Sequence, residues 1–556
     1  MSVTLVTAML KIYDIEYSDK WNCKCLEERL NHFVGLVETG LPLVIYVSEV
    51  YKGAVEERCR GYDQVRLVVT ELVDTWTYKE VAKWKEVIPV HRNVGKDTFE
   101  FLTLMSAKAE FMARAVDSNP FGSDTFAWVD FNIFHVLFNG FTSQEVLKGL
   151  RSARLKPEHS FVVPGCWDKG RGLDRNSIHW RFCGGFFLAT AAGVKEFFAL
   201  HEKHLGSAFG GLTWEVNFWA WLEKEAGWRP SWFRADHDST LIEIPEAFFT
   251  STRPSSVQWL TKVDGIQTGR YDYPQLQNYH PTSSSFLMFQ GIPYLNVRYV
   301  NYLLTPPGLY IIHDPLGHLR TENYLLQLSD DKRTRIQGVQ LQTVTSLSTV
   351  DESIRGLEDI RLYKFENRMR FIATQRQYSP SRQNRMMIGT VDLSQNTLTD
   401  LVLLEPPHPT ACEKNWIPLV HQGREHFLYQ WFPYQVGVLE NGKLTIVIEK
   451  VMPNLFRHIR GSTTFLEDGA ERIGVVHYSE DRSPRHYYHM LVWLNKETLL
   501  PVARSQPFVF GRLGVEFCIG FEQQGDQLQF WYSQHDRDPV WSLVPRTAFV
   551  RINVSS

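Results

Sequence analysis

The chain has 556 residues, 44% of them hydrophobic and 22% charged, a length beyond one core and a composition of an ordinary soluble protein with two or more domains. A formal net charge of −3 and a pI near 6.7 leave no basic footprint for nucleic acid. No apolar run reaches the roughly 18 residues of a membrane span, and Met1 to Ala8 lacks a basic leader with a long apolar core, so no membrane span and a cytoplasmic location are expected. Seven scattered cysteines fit reduced thiols, and Cys23 and Cys25, without a second pair at zinc spacing, read as structural or incidental. Aromatic residues reach 13%, which suits stacking on sugars and equally suits a β-rich core.

The first half alternates strands and helices. Val3 to Ala8, Leu43 to Val47 and Val65 to Val69 read as strands, and Leu26 to Val37 and Ser48 to Arg60 as helices, the first with Leu30, Phe33 and Val37 on one face. Near-continuous apolar strands between helices predict a mostly parallel sheet covered on both faces, with ligands at the carboxyl ends of its strands. A helix from about Asp97 to Ala115 carries Lys108, read either as facing phosphates or as a solvated lysine. It precedes Phe126 to Val136, an apolar run interrupted by Asp130 and Asn132. In extended backbone those two side chains share a side, where their oxygens suit Mn²⁺ or Mg²⁺; the same triplet also fits a capped strand end. Further on come Phe161 to Gly165, a strand opened by Gly184 and Gly185, a helix from Gly193 to His204, and a helix from Thr213 to Trp221. Glu215 in the last helix suits either its dipole or a general base, with Asp236 as second candidate base. His237 beside Asp236 is a candidate third metal ligand, or part of a polar loop.

Thr4-Leu5-Val6-Thr7-Ala8, Leu104 to Lys108, Trp128-Val129-Asp130-Phe131 and Gly184-Gly185-Phe186 resemble the HtrL/YibB-like glycosyltransferases of the GT-A-type, nucleotide-sugar-binding fold. The resemblance covers roughly the first 245 residues. It implies that Asp130 binds metal and diphosphate, that Gly184 and Gly185 lie near donor sugar or acceptor, and that Thr7, Lys108 and Asn132 belong to the donor site. Asn132 stands where many such enzymes carry Asp.

After Ser251-Thr252-Arg253-Pro254-Ser255-Ser256 the helical periods stop, and residues 251–284 read as a linker between a domain of residues 1–250 and one of residues 285–556. Segments opening at Tyr294, Gly356, Glu413, Arg460 and Gly514 share a plan of polar signature, strand, turn and strand. Their spacing of roughly 50–60 residues is room for one four-stranded blade each and predicts a five-bladed β-propeller. The signatures would then converge on a central funnel: Asn296, Arg298, Glu358, Asp359, Arg361, Lys414, Asn415, Arg460 and Glu516. The competing fold is a β-sandwich with polar turns.

Glu358-Asp359-Ile360-Arg361, Glu413-Lys414-Asn415-Trp416 and Arg460-Gly461-Ser462 are similar to motifs of the five-bladed glycoside phosphorylases and hydrolases acting on mannosides, and of related mannosyltransferases. That resemblance covers about residues 285 to 540 and implies Asp359 as proton donor of a Glu-Asp-Pro-Arg motif, here with Ile360 for Pro. It also implies a phosphate site at Arg460, His477 and Tyr488 or His489.

Both halves therefore lead to sugars. The expected protein is a glycosyltransferase, moving sugar from a nucleotide diphosphate-sugar donor to a glycan acceptor, with a second carbohydrate-active domain. The alternatives are glycoside phosphorylase or hydrolase activity in the propeller, or a non-catalytic glycan-binding scaffold.

Overall fold

The computed structural model describes residues 3–12, 26–137, 140–170, 172–250, 257–305, 308–480 and 484–554. Cys23 and Cys25 lie outside them. The chain divides into two compact units, Met1–Ser256 and Val257–Ser556. Among the described residues no helix is long and apolar enough to cross a membrane.

The first unit is α/β. Its strands are β1 (Val3–Met9), β2 (Leu43–Val47), β3 (Val65–Val69), β4 (Thr125–Val129), β5 (Phe161–Gly165), β6 (Phe186–Thr190) and β7 (Ser231–Arg234). Its helices are α1 (Leu26–Val37), α2 (Glu49–Arg58), α3 (Trp76–Val81), α4 (Phe99–Ser106), α5 (Lys108–Ser118), α6 (Gly140–Lys148), α7 (Ala191–His204) and α8 (Glu215–Glu225). The sheet order is β3-β2-β1-β4-β6-β5-β7, and β6 alone runs antiparallel to its neighbours. Every residue of β2, β4 and β5 is buried, because apolar clusters cover both faces of the sheet. The chain runs from β1 outward to β3 and resumes on the other side of β1 at β4, so a crevice opens between the carboxyl ends of β1 and β4.

Two expectations change here. The apolar run from Phe126 does not continue as a strand: β4 stops at Val129, Asn132 has φ −106° and ψ 23°, and Ile133–His135 form a 3₁₀ turn. Asp130 and Asn132 are thus turn residues, to which the strand's period of two does not apply. The helix expected over Asp97 to Ala115 is two helices, broken at Ala107 just before Lys108.

The second unit is all-β and contains a β-propeller portion. Residues 257–284, expected as linker, carry β8 (Gln258–Trp259), β9 (Gln267–Gly269) and the start of β10 (His280–Phe289). Short strands there complete sheets formed much later in the chain, a pairing that local composition does not reveal: β9 joins Arg537–Pro545 and β8 joins Phe508–Val509. Four sheets contain a four-stranded antiparallel meander or its equivalent. They start at β10, Glu358–Phe365, Ile417–His421 and Glu516–Gln524, the last with β9 as its fourth strand. An eight-stranded sheet built around Glu471–Glu480, His486–Asn495 and Pro501–Ser505 lies between the last two in sequence. The hairpin turns use left-handed residues, among them Glu366 with Asn367, Gln422 with Gly423, and Gly525.

Candidate functional site

Two clusters of buried charge stand out, one in each unit. In the first, Lys108 opens α5 with its side chain 1% exposed. Its Nζ donates to Glu215 Oε1 at 3.0 Å and to the Gly184 carbonyl at 2.9 Å, and lies 3.1 Å from Asp130 Oδ1. Burial opposes the ammonium, but Asp130 and Glu215 outweigh it and raise the Lys108 pKa above its ordinary value. The Trp128 indole also donates to Asp130 Oδ1, at 2.7 Å, and the Asp130 N–H bonds the Gly185 carbonyl. Gly184 has no room for a side chain: a Cβ there would lie 2.2 Å from Glu215 Oε1. Lys108 is therefore neither a solvated lysine nor a free phosphate ligand, and Glu215 is a partner of a buried ammonium rather than a lone base.

The remaining residues expected here do not join that cluster. Thr7 is fully buried in mid-strand, its hydroxyl without a partner among the described residues. Asn132 has a buried Oδ1 with no partner among the described residues. Asp236 is exposed and binds the His237 N–H, and the His237 ring lies against that of His135. No three His, Cys, Asp or Glu side chains among the described residues converge to hold a metal. Asp130 Oδ1 already faces the Lys108 ammonium and the Trp128 indole.

In the second unit a cavity of about 600 Å³ takes lining residues from strands or strand ends of four of the five large sheets and, with Lys414 and Asn415, from the segment that leads into Ile417–His421 of the remaining one, a size usual for small-ligand sites. One wall is charged. Arg298, 8% exposed, donates to Asp359 Oδ1 at 3.0 Å and approaches Glu358 Oε2 at 3.6 Å, while Lys414 lies 3.5 Å from the same Glu358 oxygen. Asp359 has φ +53° at a register shift between Glu358 and Arg361, an irregularity that aims the carboxylate inward. Burial disfavours its charge, but Arg298, Arg361 and Lys414 prevail and hold its pKa below the usual carboxylate value. The opposite character comes from His477, Tyr487 and Phe517, whose rings lie 5.0–6.2 Å apart. Burial, then His489, Arg361 and Arg460, pushes His477 well down, so its ring is neutral, and its Nδ1 pairs with the Ser462 hydroxyl at 2.8 Å.

Arg298, Glu358, Asp359, Lys414, Asn415 and His477 were legible as funnel residues and do line this cavity. The others do not. Arg361 is fully buried and ties the Ser462, Gly461 and Asp359 carbonyls and the Asn415 amide together. Asn296 donates to Asn323. Arg460 projects outward and bonds the Ile459 carbonyl. Glu516 points away from Val515 and Phe517, accepts the N–H groups of Phe510, Gly511 and Arg512, and is pushed up to about 7 by burial. Tyr488 packs on Tyr478 and donates to Glu480, and His489 lies in the core against Phe508 and Phe510, where burial pushes it down to about 3. For both strands the correction is one residue, because neighbours on a strand face opposite ways.

Sequence reasoning missed Tyr302, Arg376, Tyr487, Phe517 and Asp536, all of which line the cavity. Asp536 had a signal. It follows His535 in a two-residue turn with both φ values positive, +56° and +53°, where Asn-Gly is the usual choice.

No protein-family model matches this chain, and no curated protein matches it. Several solved structures align with about half of it. A β-1,2-mannobiose phosphorylase from Listeria innocua is 10% identical, over 50% of this chain and 93% of the other, with a TM-score of 0.33. A mannose phosphorylase from Leishmania mexicana is 11% identical over 51% and 90%, with a TM-score of 0.35. A glycosyl hydrolase from Bacteroides ovatus is 10% identical over 50% and 87%, with a TM-score of 0.36. Likeness at this level assigns no activity.

Proposed function

We propose that the second unit is a carbohydrate-active enzyme that cleaves glycosidic bonds, with the cavity at Asp359 as its active site. The observation that carries this reading is the cavity's mixed lining: paired carboxylates and cations together with the His477, Tyr487 and Phe517 rings. A pyranose has the matching character, with hydroxyls at its rim and C–H groups on its faces. Five large sheets in chain order also support a five-bladed count, the eight-stranded sheet serving as the fourth blade and β9 closing the fifth. A mannoside is the first substrate to test, because Glu358-Asp359-Ile360-Arg361 keeps three of the four residues of the mannoside-active motif, with Glu358 and Asp359 at the cavity wall. Calorimetry and product analysis with β-1,2-mannobiose test the reading. Asp359→Asn is expected to lower turnover about 10²–10⁴-fold while the fold persists; undiminished turnover in that variant removes Asp359 from the chemistry.

A second reading concerns the first unit. Asp130 stands just past β4, at the crevice between β1 and β4 where open α/β sheets take their ligands. That position supports a nucleotide diphosphate-sugar donor, and hence transfer to a glycan acceptor. Titration of a nucleoside diphosphate with Mn²⁺ present into wild type and Asp130→Ala is expected to give binding only in the former; equal affinity ends this reading.

A further inference from the structure

Tyr302–Leu304 and Tyr310–Ile312 form a two-stranded antiparallel hairpin of their own, apart from the five large sheets. Side chains alternate between the faces of a strand, so Leu304, which pairs with Tyr310, shares a face with it and with Tyr302, while Leu303 and Ile311 take the other. Tyr302, Leu304 and Tyr310 all line the cavity at Asp359, and Ile311 does not. Its neighbours hold the hairpin in place. The Tyr302 hydroxyl donates to Asp536, the His313 N–H donates to the Asn301 carbonyl at 2.8 Å, and the Nε2 atoms of His280 and His313 lie 3.1 Å apart.

One ring of this hairpin differs from the rest of the lining. His477 and Tyr302 are buried, whereas Tyr310 is 58% exposed. The Tyr310 ring meets that of Tyr302 edge to face, with centroids 4.9 Å apart and planes at 67°, and makes no other ring contact among the described residues. An edge-to-face contact covers at most one face of either ring, so a face of Tyr310 stays open. An open aromatic face at the edge of a small-ligand cavity suits the C–H face of a sugar. Exposure also orders the site by depth. The Asp359 side chain is only 13% exposed, so a chain entering from the solvent side sets its terminal sugar beside Asp359 and His477 and its next sugar at Tyr310.

We infer, resting on the glycoside-cleaving reading above, that Tyr310 determines specificity: its open face carries the sugar that leaves, so that the preferred substrate is a disaccharide or a longer chain rather than a simple glycoside. Asp359 keeps the proton-donor role that its motif implies. Tyr310 touches the leaving sugar and none of the reacting atoms, and it acts only on substrates that carry such a sugar. The ring does this and the hydroxyl is not needed, because stacking uses the face. Leu304, its cross-strand partner on the cavity side, extends the apolar floor.

The test compares β-1,2-mannobiose with β-mannosyl fluoride, which carries fluoride in place of the second sugar, in phosphate buffer so that hydrolysis and phosphorolysis are both supplied. Tyr310→Ala is expected to lower kcat/KM on the disaccharide about tenfold and to leave fluoride release within about twofold of wild type. Tyr310→Phe, which keeps the ring, should stay near wild type on both substrates. Ile311→Ala, on the other face of the same strand, should change neither. Equal losses of Tyr310→Ala on the two substrates, undiminished disaccharide cleavage in that variant, or a Tyr310→Phe as impaired as Tyr310→Ala would overturn the inference and leave glycoside cleavage standing. A matching loss in Ile311→Ala would do the same, by assigning the effect to the fold of the hairpin, and so would a wild type that cleaves only the fluoride. Wild type that cleaves neither substrate overturns both readings.

Discussion

Lys108 and Arg298 each place one buried cation between two carboxylates, but they do so in different settings. Lys108 joins Asp130 and Glu215 inside an α/β unit, and the Gly184 carbonyl completes its bonds. Arg298 joins Glu358 and Asp359 at a cavity, where Lys414 and Arg361 act on the same carboxylates. A cluster with one cation is bound to its fold, because removing that cation leaves charge without an answer. A cluster with several cations around open volume keeps its carboxylates ionised and still has room to meet a ligand.

The largest effect that separates the two comes from removing each cation. Lys108→Met strands Glu215, whose side chain is 8% exposed, and is expected to destabilise the first unit by about 3–5 kcal/mol. Arg298→Met should cost the second unit less, because Lys414 and Arg361 remain. Denaturant unfolding followed unit by unit measures both, and equal losses would break the comparison.

Buried imidazoles give the next effect. Burial pushes His201, in the first unit, down to about 4 and His489, in the second, down to about 3. Each is neutral when folded and gains a proton on unfolding below its ordinary value of about 6.5. A depressed folded value means that their contribution is fully present above pH of about 6.5 and falls as the pH drops toward 4 and 3. His201→Phe should flatten this loss in the first unit only, and His489→Phe, among Phe508 and Phe510, in the second only. Urea midpoints between pH 7 and pH 4 read this out; unchanged slopes in both variants would assign the acid sensitivity elsewhere.

The smallest effect sharpens the first cluster. A Cβ on Gly184 meets Glu215 Oε1 at 2.2 Å, whereas one on Gly185 meets nothing closer than 3.3 Å. Gly184→Ala is therefore expected to cost about 1–3 kcal/mol and Gly185→Ala less, as thermal unfolding would show. The reverse order would mean that Glu215 relaxes away from Lys108 freely.

Local chemistry was enough to read β2, β3 and β5, whose apolar runs match their observed bounds, and α1, whose Leu30, Phe33 and Val37 are buried as the helical period requires. It was also enough to place the hairpins after Phe365, His421 and Gln524, since left-handed turn residues mark them within the chain. Arg298, Glu358, Asp359, Lys414 and Asn415 could be chosen because each sits in the polar signature of a repeated plan, and His477 because of a resemblance. Which side of a strand meets the cavity was not local information. Tyr487 and Phe517 line it while Tyr488 and Glu516 face away, and that choice depends on how each strand pairs with its partner. Asp536 reaches the cavity only because its turn lies against β10, 254 positions from Thr282. Lys108 likewise found Glu215 at 107 positions' distance. Periodicity and turn preference are written within a few residues of sequence, whereas the meeting of charges requires the sheets to have closed around them.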